Sequence, residues 1–258
     1  MPIRHPQRTS WLIFMFILLY GADGTGKSVQ GKSVAELTDP SEHWSFAVKN
    51  RKLYESSPVP SVELLSFNKD STINPYVTID NFHDQVTGVI KDNVIKLVVI
   101  DEITLLRHWA QPVVVEELNK VRRAYNKTPL TKIGEDNFAA WGRVNDLVYG
   151  ELERLATWSV INDATIIAIT SITEQRRLVI GEDNKAHSQT TGEWVCDAKI
   201  NIRKLADVII RLEKNGNKGR GYYAFFEKMQ DWMVEGAESV KVDKIGLATE
   251  FMKRGVMG

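Results

Sequence analysis

This 258-residue sequence has a single cysteine, a formal net charge of zero and few long apolar runs. The one cysteine, Cys196, excludes an intramolecular disulfide and favours a reducing compartment. Lysine plus arginine and aspartate plus glutamate each number 33, so the formal net charge at pH 7 is zero. Because neither sign is in excess, the chain is neither a basic nucleic-acid coat nor an acidic tail, and any contact with a polyanion must come from a local patch.

The apolar run Trp11–Tyr20 is too short to cross a membrane. It has ten residues, whereas a transmembrane helix needs about 20. Arg4, His5 and Arg8 precede it, and the combination superficially resembles a signal peptide. The run leads directly into a motif that begins at Gly21, however, and a buried central strand explains it better, because strands covered on both faces are continuously apolar. We therefore expect no membrane association.

Length and composition predict one globular domain. Apolar residues make up 43% of the chain and charged residues 26%, which is ordinary for a soluble protein. A chain of this length buries a sizeable core unaided. We expect a single domain over 1–258, with its core over about 10–230 and a C-terminal extension over 231–258.

Strand and helix patterns alternate along the chain, which predicts an α/β fold. Apolar residues recur at helical spacing from Trp141 to Ile161, which predicts a helix with one buried face. A second helix is predicted over Asp80–Lys91, with Thr78 or Asp80 as its N-cap. Glycines and asparagines at 214–220 indicate a hairpin turn. The predicted order is strand Trp11–Tyr20, helix Lys27–Leu37, strand Val62–Phe67, helix Asp80–Lys91, strand Ile95–Ile100, helix Trp141–Ile161, strand Thr165–Thr170, and the strand pair Val208–Leu212 and Tyr222–Phe226. Such an order implies a mainly parallel sheet with helices on both faces and an antiparallel C-terminal hairpin at one edge.

Residues 21–28 match the phosphate-binding pattern G-x-x-x-x-G-K-[ST] in full. The glycines let the backbone curl so that its N–H groups converge on a phosphate at a helix N-terminus. Lys27 then reaches the β- and γ-phosphate oxygens, and the Ser28 hydroxyl is a Mg²⁺ ligand. An apolar strand before and a helix after supply the context that distinguishes this loop from a glycine-rich turn without a ligand. The predicted nucleotide-binding residues are Gly21, Ala22, Asp23, Gly24, Thr25, Gly26, Lys27, Ser28 and Val29.

Paired carboxylates end the next buried strand, because Asp101 and Glu102 directly follow Lys96–Ile100. At the carboxyl end of a parallel strand, side chains meet the ligand crevice. We expect Asp101 to hold Mg²⁺ together with Ser28, and Glu102 to orient and deprotonate an attacking water. The alternative is a strand that ends in solvated acids.

A glutamate directly after the magnesium aspartate, with a further strand between the two motifs, resembles the additional-strand, catalytic-glutamate division of P-loop proteins. That division contains the RecA-like and AAA+ ATPases, so the resemblance implies ATP hydrolysis with ATP and Mg²⁺ as cofactors. The sequence has neither an N/T-K-x-D guanine-reading motif nor an arginine-rich kinase lid. GTPases and nucleotide kinases are therefore disfavoured.

Two further segments resemble RecA-like ATPases. Thr170 or Ser171 ends the fourth strand, where such enzymes carry a γ-phosphate sensor. Lys228 resembles the lysine of a Lys-Met-Arg element that reaches the ATP of a neighbouring subunit, although Gln230 replaces the arginine and an edge-strand lysine in solvent explains Lys228 as well.

The whole chain resembles the small RecA-like ATPases of phages and archaeal mobile elements, some of which assist single-strand annealing. The resemblance implies a homo-oligomeric ring or filament in the cytoplasm, or in the host cytoplasm for a viral protein. In RecA-like proteins the loop after the fourth strand faces DNA. Here Arg176, Arg177 and the polar segment Gly181–Glu193 correspond to it, unless these are ordinary solvated loop residues. For Trp194 we expect packing rather than stacking on a base.

The leading functional hypothesis is a Mg-ATP hydrolase that acts on single-stranded DNA in recombination, annealing or replication. One alternative is a helicase or packaging-type motor of the same division. The other is a slow, nucleotide-switched assembly protein without a DNA substrate. The five histidines show no metal-ligand spacing.

Overall fold

The computed structural model describes residues 15–36, 43–47, 61–92, 94–134, 137–180, 186–198, 200–215, 221–228, 239–242 and 246–253. The strands are β1 (Phe16–Gly21), β2 (His43–Ala47), β3 (Ser61–Glu63), β4 (Leu97–Asp101), β5 (Thr165–Thr170), β6 (Ile172–Ile180), β7 (Ala186–Cys196), β8 (Val208–Asn215), β9 (Gly221–Lys228) and β10 (Ser239–Val242). The helices are α1 (Lys27–Ala35), α2 (Pro75–Lys91), α3 (Ile103–Ala124), α4 (Phe138–Asn162), α5 (Ile200–Leu205) and α6 (Gly246–Lys253). Of the predicted first strand, Trp11–Phe14 lies outside the described residues.

The main sheet has the strand order β10-β9-β8-β1-β5-β4-β2-β3. Parallel pairing joins β8, β1, β5, β4, β2 and β3, and antiparallel pairing joins β8 to β9 and β9 to β10. The predicted α/β architecture is therefore confirmed: a mainly parallel sheet with an antiparallel C-terminal hairpin at one edge.

In the sheet, one strand lies between the two strands that carry the predicted motifs. β5 separates β1 from β4 in the sheet, whereas the Val62–Phe67 region supplies only the short strand β3, which pairs at the far edge with β2. In the sequence, β2 and β3 both lie between the two motifs, so a further strand is present there, although only 62–63 of the predicted Val62–Phe67 are in a strand.

Helices cover both faces of the sheet, which is why β1, β4 and β5 are buried along their whole length. Alternate residues of β1 point to opposite faces. Phe16 and Leu18 join the apolar cluster of α2, α3 and α4, while Ile17 and Leu19 join the cluster of α1 and α6.

Helix α2 begins five positions earlier than predicted, and the predicted caps are wrong. Asn74 is the N-cap, with its side chain accepting a 3.2 Å hydrogen bond from the Val77 N–H, and Pro75 follows in the first turn. Proline is favoured there because its missing N–H has no helical partner in any case. Thr78 and Asp80 both lie inside the helix.

Helix α3 was not predicted at all. Its buried positions Ile103, Leu106, Ala110 and Val113 recur at helical spacing, and this is the signal that identifies it. The proline at 112, which normally interrupts a helix, and the many charged residues obscure the pattern.

The predicted polar loop after β5 is instead a two-stranded antiparallel ribbon of β6 and β7. Backbone pairing stabilises such a ribbon without an alternating apolar pattern, so the polar composition of this segment did not indicate strands. Residues 181–185 of the predicted loop lie outside the described ranges.

The described part of 231–258 belongs to the same core as the rest. β10 pairs with β9, Phe251 of α6 is fully buried, and the Leu247 N–H donates a 3.1 Å hydrogen bond to Gln30 Oε1 on α1. Among the helices described, none is long and apolar enough to cross a membrane.

Candidate nucleotide-binding site

The phosphate-binding loop joins β1, which ends at Gly21, to α1, which begins at Lys27. Gly26 is the N-cap of α1 with φ 86°, a left-handed conformation that side chains disfavour. The Thr25 N–H and hydroxyl both bond to the Ala22 carbonyl, at 3.3 and 2.8 Å, which closes the turn. Gly21 lies so close to β8 that an added Cβ would sit 2.5 Å from the Leu212 carbonyl oxygen.

Lys27 holds a buried positive charge within this loop. The residue is 6% exposed, and its ammonium donates to the Gly21 carbonyl at 2.8 Å and the Ala22 carbonyl at 3.2 Å. The Asp23 carboxylate, largely exposed, lies 3.9 Å away. An ammonium and the N-terminus of a nine-residue helix together favour an anion, so the loop fits a polyphosphate.

Asp101 and Glu102 lie at the same sheet edge as the loop. Asp101 is the last residue of β4 and pairs in register with Ile169 of β5, whose next residue Thr170 pairs with Tyr20 of β1. Both carboxylates are buried, at 1% and 4% exposure, so the solvated-acid alternative does not describe them. The peptide bond between them is cis.

A magnesium ion would find suitable donors here in the Ser28 hydroxyl and the Asp101 carboxylate. Oxygen ligands of this kind suit Mg²⁺, which usually keeps several waters and binds substrate phosphates rather than an all-protein cage. The described part of the chain holds no group of three or more His, Cys, Asp or Glu side chains placed to bind a metal.

Glu102 is held by Ser171, the residue after β5. The Ser171 hydroxyl donates a hydrogen bond to Glu102 Oε1, and the Ser171 N–H donates to Thr104 Oγ1 at 2.9 Å. Ser171 is therefore fixed from both its backbone and its side chain. Thr104, which sequence reasoning missed, lies in the first turn of α3 directly after the paired carboxylates.

Thr170 is fully buried, and its hydroxyl is used within the protein. The hydroxyl donates to the Asp197 carbonyl at 2.9 Å. Because its one proton is used there, it accepts the 2.9 Å hydrogen bond from Thr104 Oγ1. Of the two predicted γ-phosphate sensors, Ser171 thus contacts the candidate base, while the geometry around Thr170 favours a structural role.

Asp197 connects this network to the base of the β6–β7 ribbon. Its N–H donates to the Ser171 carbonyl at 2.9 Å, and its carboxylate pairs with Arg107 of α3 at 2.8 Å. Arg107 also donates to Asn145 of α4 at 3.2 Å. The ribbon is therefore attached to the same residues that hold Glu102, an arrangement without a signal in the linear sequence.

The remaining predicted residues lie outside this network. Arg176 and Arg177 are in β6, opposite Thr190 and Gln189. The Lys228 ammonium donates to the Lys204 and Ala206 carbonyls at the end of α5; Met229 and Gln230 fall outside the described ranges.

No family model and no curated protein sequence matches the chain. Among solved structures, the chain is similar to the RadB recombinase, with 12% identity, coverage of 90% of this chain and 89% of the other, and a TM-score of 0.44. It is also similar to the flagellar accessory protein FlaH from Methanocaldococcus jannaschii, with 16% identity, coverage of 90% and 87%, and a TM-score of 0.40. At these identities the likeness concerns the fold alone.

Proposed function

We propose that this protein binds Mg-ATP and hydrolyses it, and that single-stranded DNA is the polymer on which it acts, in recombination, annealing or replication. The observation that carries the ATPase proposal is a juxtaposition at one sheet edge. A buried lysine lies inside a glycine-containing loop at the end of β1, and a buried glutamate bonded to Ser171 follows β4.

Each side chain has a defined task in this proposal. Lys27 and the N-terminus of α1 bind the β- and γ-phosphates, and Ser28 with Asp101 holds the metal. When bound, Mg²⁺ supplies positive charge that stabilises the transferring phosphoryl group. Glu102 accepts a proton from the attacking water, and Ser171 keeps its carboxylate in place.

Single-stranded DNA is proposed as the polymer because the ribbon that carries Arg176 and Arg177 is anchored at the catalytic network. The Asp197 N–H bonds to the residue that holds Glu102. A strand bound along the ribbon would therefore act on the position of the base. RecA-like proteins act as rings or filaments, and we extend the proposal to a homo-oligomer of this chain.

Two substitutions test the ATPase proposal. Lys27→Ala removes the cation that faces the phosphates, so ATP binding and hydrolysis should both be lost. Glu102→Gln keeps the shape but not the base, so binding should remain while turnover falls by about 10²-fold or more. Glu153→Gln, on the exposed side of α4, is the matched control and should leave both unchanged.

Binding is measured with a fluorescent ATP analogue and hydrolysis by phosphate release. Near-normal hydrolysis by Glu102→Gln would overturn the assignment of the base. Stimulation of turnover by single-stranded DNA separates the proposal from a nucleotide-switched assembly protein, and strand displacement on a partial duplex would favour a helicase-type motor.

A further inference from the structure

A cleft of about 380 Å³ opens beside the phosphate-binding loop. Its walls include Ala22 and Asp23 of the loop, Ile172 and Trp194 of the ribbon, and Arg211 and Glu213 of β8. A volume of this size lies within the range of about 300–1,000 Å³ that small-molecule sites occupy.

Trp194 lines this cleft while remaining 62% exposed. The packing role expected from the sequence is therefore wrong. A tryptophan left in contact with solvent exposes a large aromatic ring, and the stacking of another ring on it is favourable. Ile172 adds a second apolar wall.

The charges on the cleft walls balance, with Arg211 and Lys214 against Asp23 and Glu213, which argues against a second phosphate site. Arg211 pairs with Glu213 and with Glu227, the latter at 2.9 Å. Its guanidinium also lies 4.6 Å from the centre of the Phe225 ring. The charge of Arg211 is thus already compensated, and the carboxylates of Asp23 and Glu213 add acceptors to the walls.

An uncharged planar ring with hydrogen-bond donors matches these walls best. Aromatic and apolar surface accepts the faces of such a ring, while carboxylates accept hydrogen bonds from amino groups at its edge. Nucleobases that carry an exocyclic amino group, such as adenine and cytosine, have this chemistry. Thymine and uracil lack the amino group.

We propose that the cleft binds an amino-bearing nucleobase stacked against Trp194. The proposal rests on the proposed function, because the adjacent loop then holds the phosphates of a nucleotide. The base comes from one of two sources: the ATP whose phosphates occupy the loop, or a nucleotide of a single strand that passes between the ribbon and the loop.

The test compares ligands with and without a base on the full-length protein. Affinities are measured for ATP, for inorganic tripolyphosphate, and for the oligonucleotides (dA)₂₀ and (dT)₂₀, in the wild type, Trp194→Ala and Trp194→Phe. Phe138→Ala is the control, since Phe138 is a comparably exposed aromatic residue at the start of α4. Circular dichroism checks that each variant is folded.

If ATP supplies the base, Trp194→Ala should lower the ratio of ATP to tripolyphosphate affinity by about 10-fold, with Trp194→Phe retaining most of it. If DNA supplies the base, that ratio should hold, and (dA)₂₀ affinity should fall while its advantage over (dT)₂₀ disappears. The Phe138→Ala control should change neither quantity.

Unchanged affinities for every base-containing ligand in folded Trp194→Ala would overturn this proposal. A failure of the proposed function would look different. In that case, Lys27→Ala would leave the binding of ATP and tripolyphosphate unchanged, or the wild type would bind neither ligand.

Discussion

The Ser171 hydroxyl donates a hydrogen bond to the Glu102 carboxylate and so joins the end of β5 to the residue that follows β4. The same serine is tied through its backbone N–H to Thr104 and through its carbonyl to Asp197. Three elements, β5, α3 and the ribbon, therefore determine where the carboxylate lies. A displacement of any one of them would therefore move the Glu102 carboxylate.

Ser171→Ala should lower turnover without much effect on ATP affinity. Hydrogen bonds to charged groups contribute about 1.5–3 kcal/mol, so kcat should fall by roughly 10- to 100-fold while KM changes little. Ser171→Thr, which keeps the hydroxyl, should restore most of the loss. Thr157→Ala, an exposed hydroxyl on α4, serves as the control. Equal activity of the alanine and wild-type proteins would show that Ser171 does not position Glu102.

Much of the site was predictable because it depends on local sequence. The loop over 21–28 and the paired Asp101 and Glu102 are each set by a short motif that follows an apolar run, and both lie where expected. The residues that hold Glu102 were only partly found. Thr104 and Asp197 act on it through the end of β5, because Ser171 bonds to Thr104, 67 positions away, and Thr170 bonds to Asp197, 27 positions away; neither pairing is visible from local sequence. The ribbon was not predicted either, because its strands are held by backbone pairing and show no alternation of apolar and polar residues.

Gly21→Ala should destabilise the protein. A Cβ at this position would lie 2.5 Å from the Leu212 carbonyl oxygen and 2.8 Å from Thr25 Oγ1, so either β8 or the loop must shift. Overpacking of this kind costs about 1–3 kcal/mol. The matched control is Gly88→Ala on α2, where an added Cβ meets nothing within 4 Å. There, the better helix propensity of alanine should stabilise the protein by about 1 kcal/mol.

Urea unfolding followed by circular dichroism measures both glycine variants. Opposite signs of the two effects on the free energy of unfolding are expected. Two effects of the same sign would contradict the close approach of Gly21 to β8.

Cys196 should resist thiol reagents in the folded protein. Burial raises the pKa of its thiol to about 12, and the residue is 4% exposed. At pH 8 the reactive thiolate is therefore scarce in the folded state, and modification should be about 10³-fold slower than in urea-unfolded protein. The rate with an aromatic disulfide reagent checks this. Fast labelling without denaturant would mean that the base of the ribbon opens readily.

Lys228 offers a test of assembly. Its ammonium is held by the Lys204 and Ala206 carbonyls of its own chain, so Lys228→Ala should lower thermal stability and leave the turnover of folded protein close to wild type. Loss of turnover at unchanged stability would instead support contact with a neighbour's triphosphate. In that case, mixing Lys228→Ala with Glu102→Gln subunits should restore activity, because mixed interfaces pair an intact lysine with an intact glutamate.

The DNA proposal depends on the ribbon, since the formal net charge of the chain is zero and binding must come from few residues. Arg176 and Arg177 are adjacent on β6, and the ribbon is joined at its base to the residues that hold Glu102. Binding of a single strand should therefore be tighter with an ATP analogue than with ADP. It should also weaken with salt, because each phosphate contact releases counterions.

Replacing both ribbon arginines by alanine should flatten the salt dependence of DNA affinity. Each lost phosphate contact lowers the log–log slope by about 0.7 for single strands, so the double variant should lose roughly 1–1.5. Arg122→Ala/Arg123→Ala removes the same charge from the end of α3 and is the control that separates the ribbon from net charge. Fluorescence anisotropy across a salt titration measures the slope, and the ratio of DNA-stimulated to basal turnover should fall to about one only in the ribbon variant.

An unchanged slope with unchanged stimulation would place DNA elsewhere. Absence of both binding and stimulation in the wild type would favour the nucleotide-switched assembly protein, because Glu102 would then be controlled by subunit contacts instead of by a polymer.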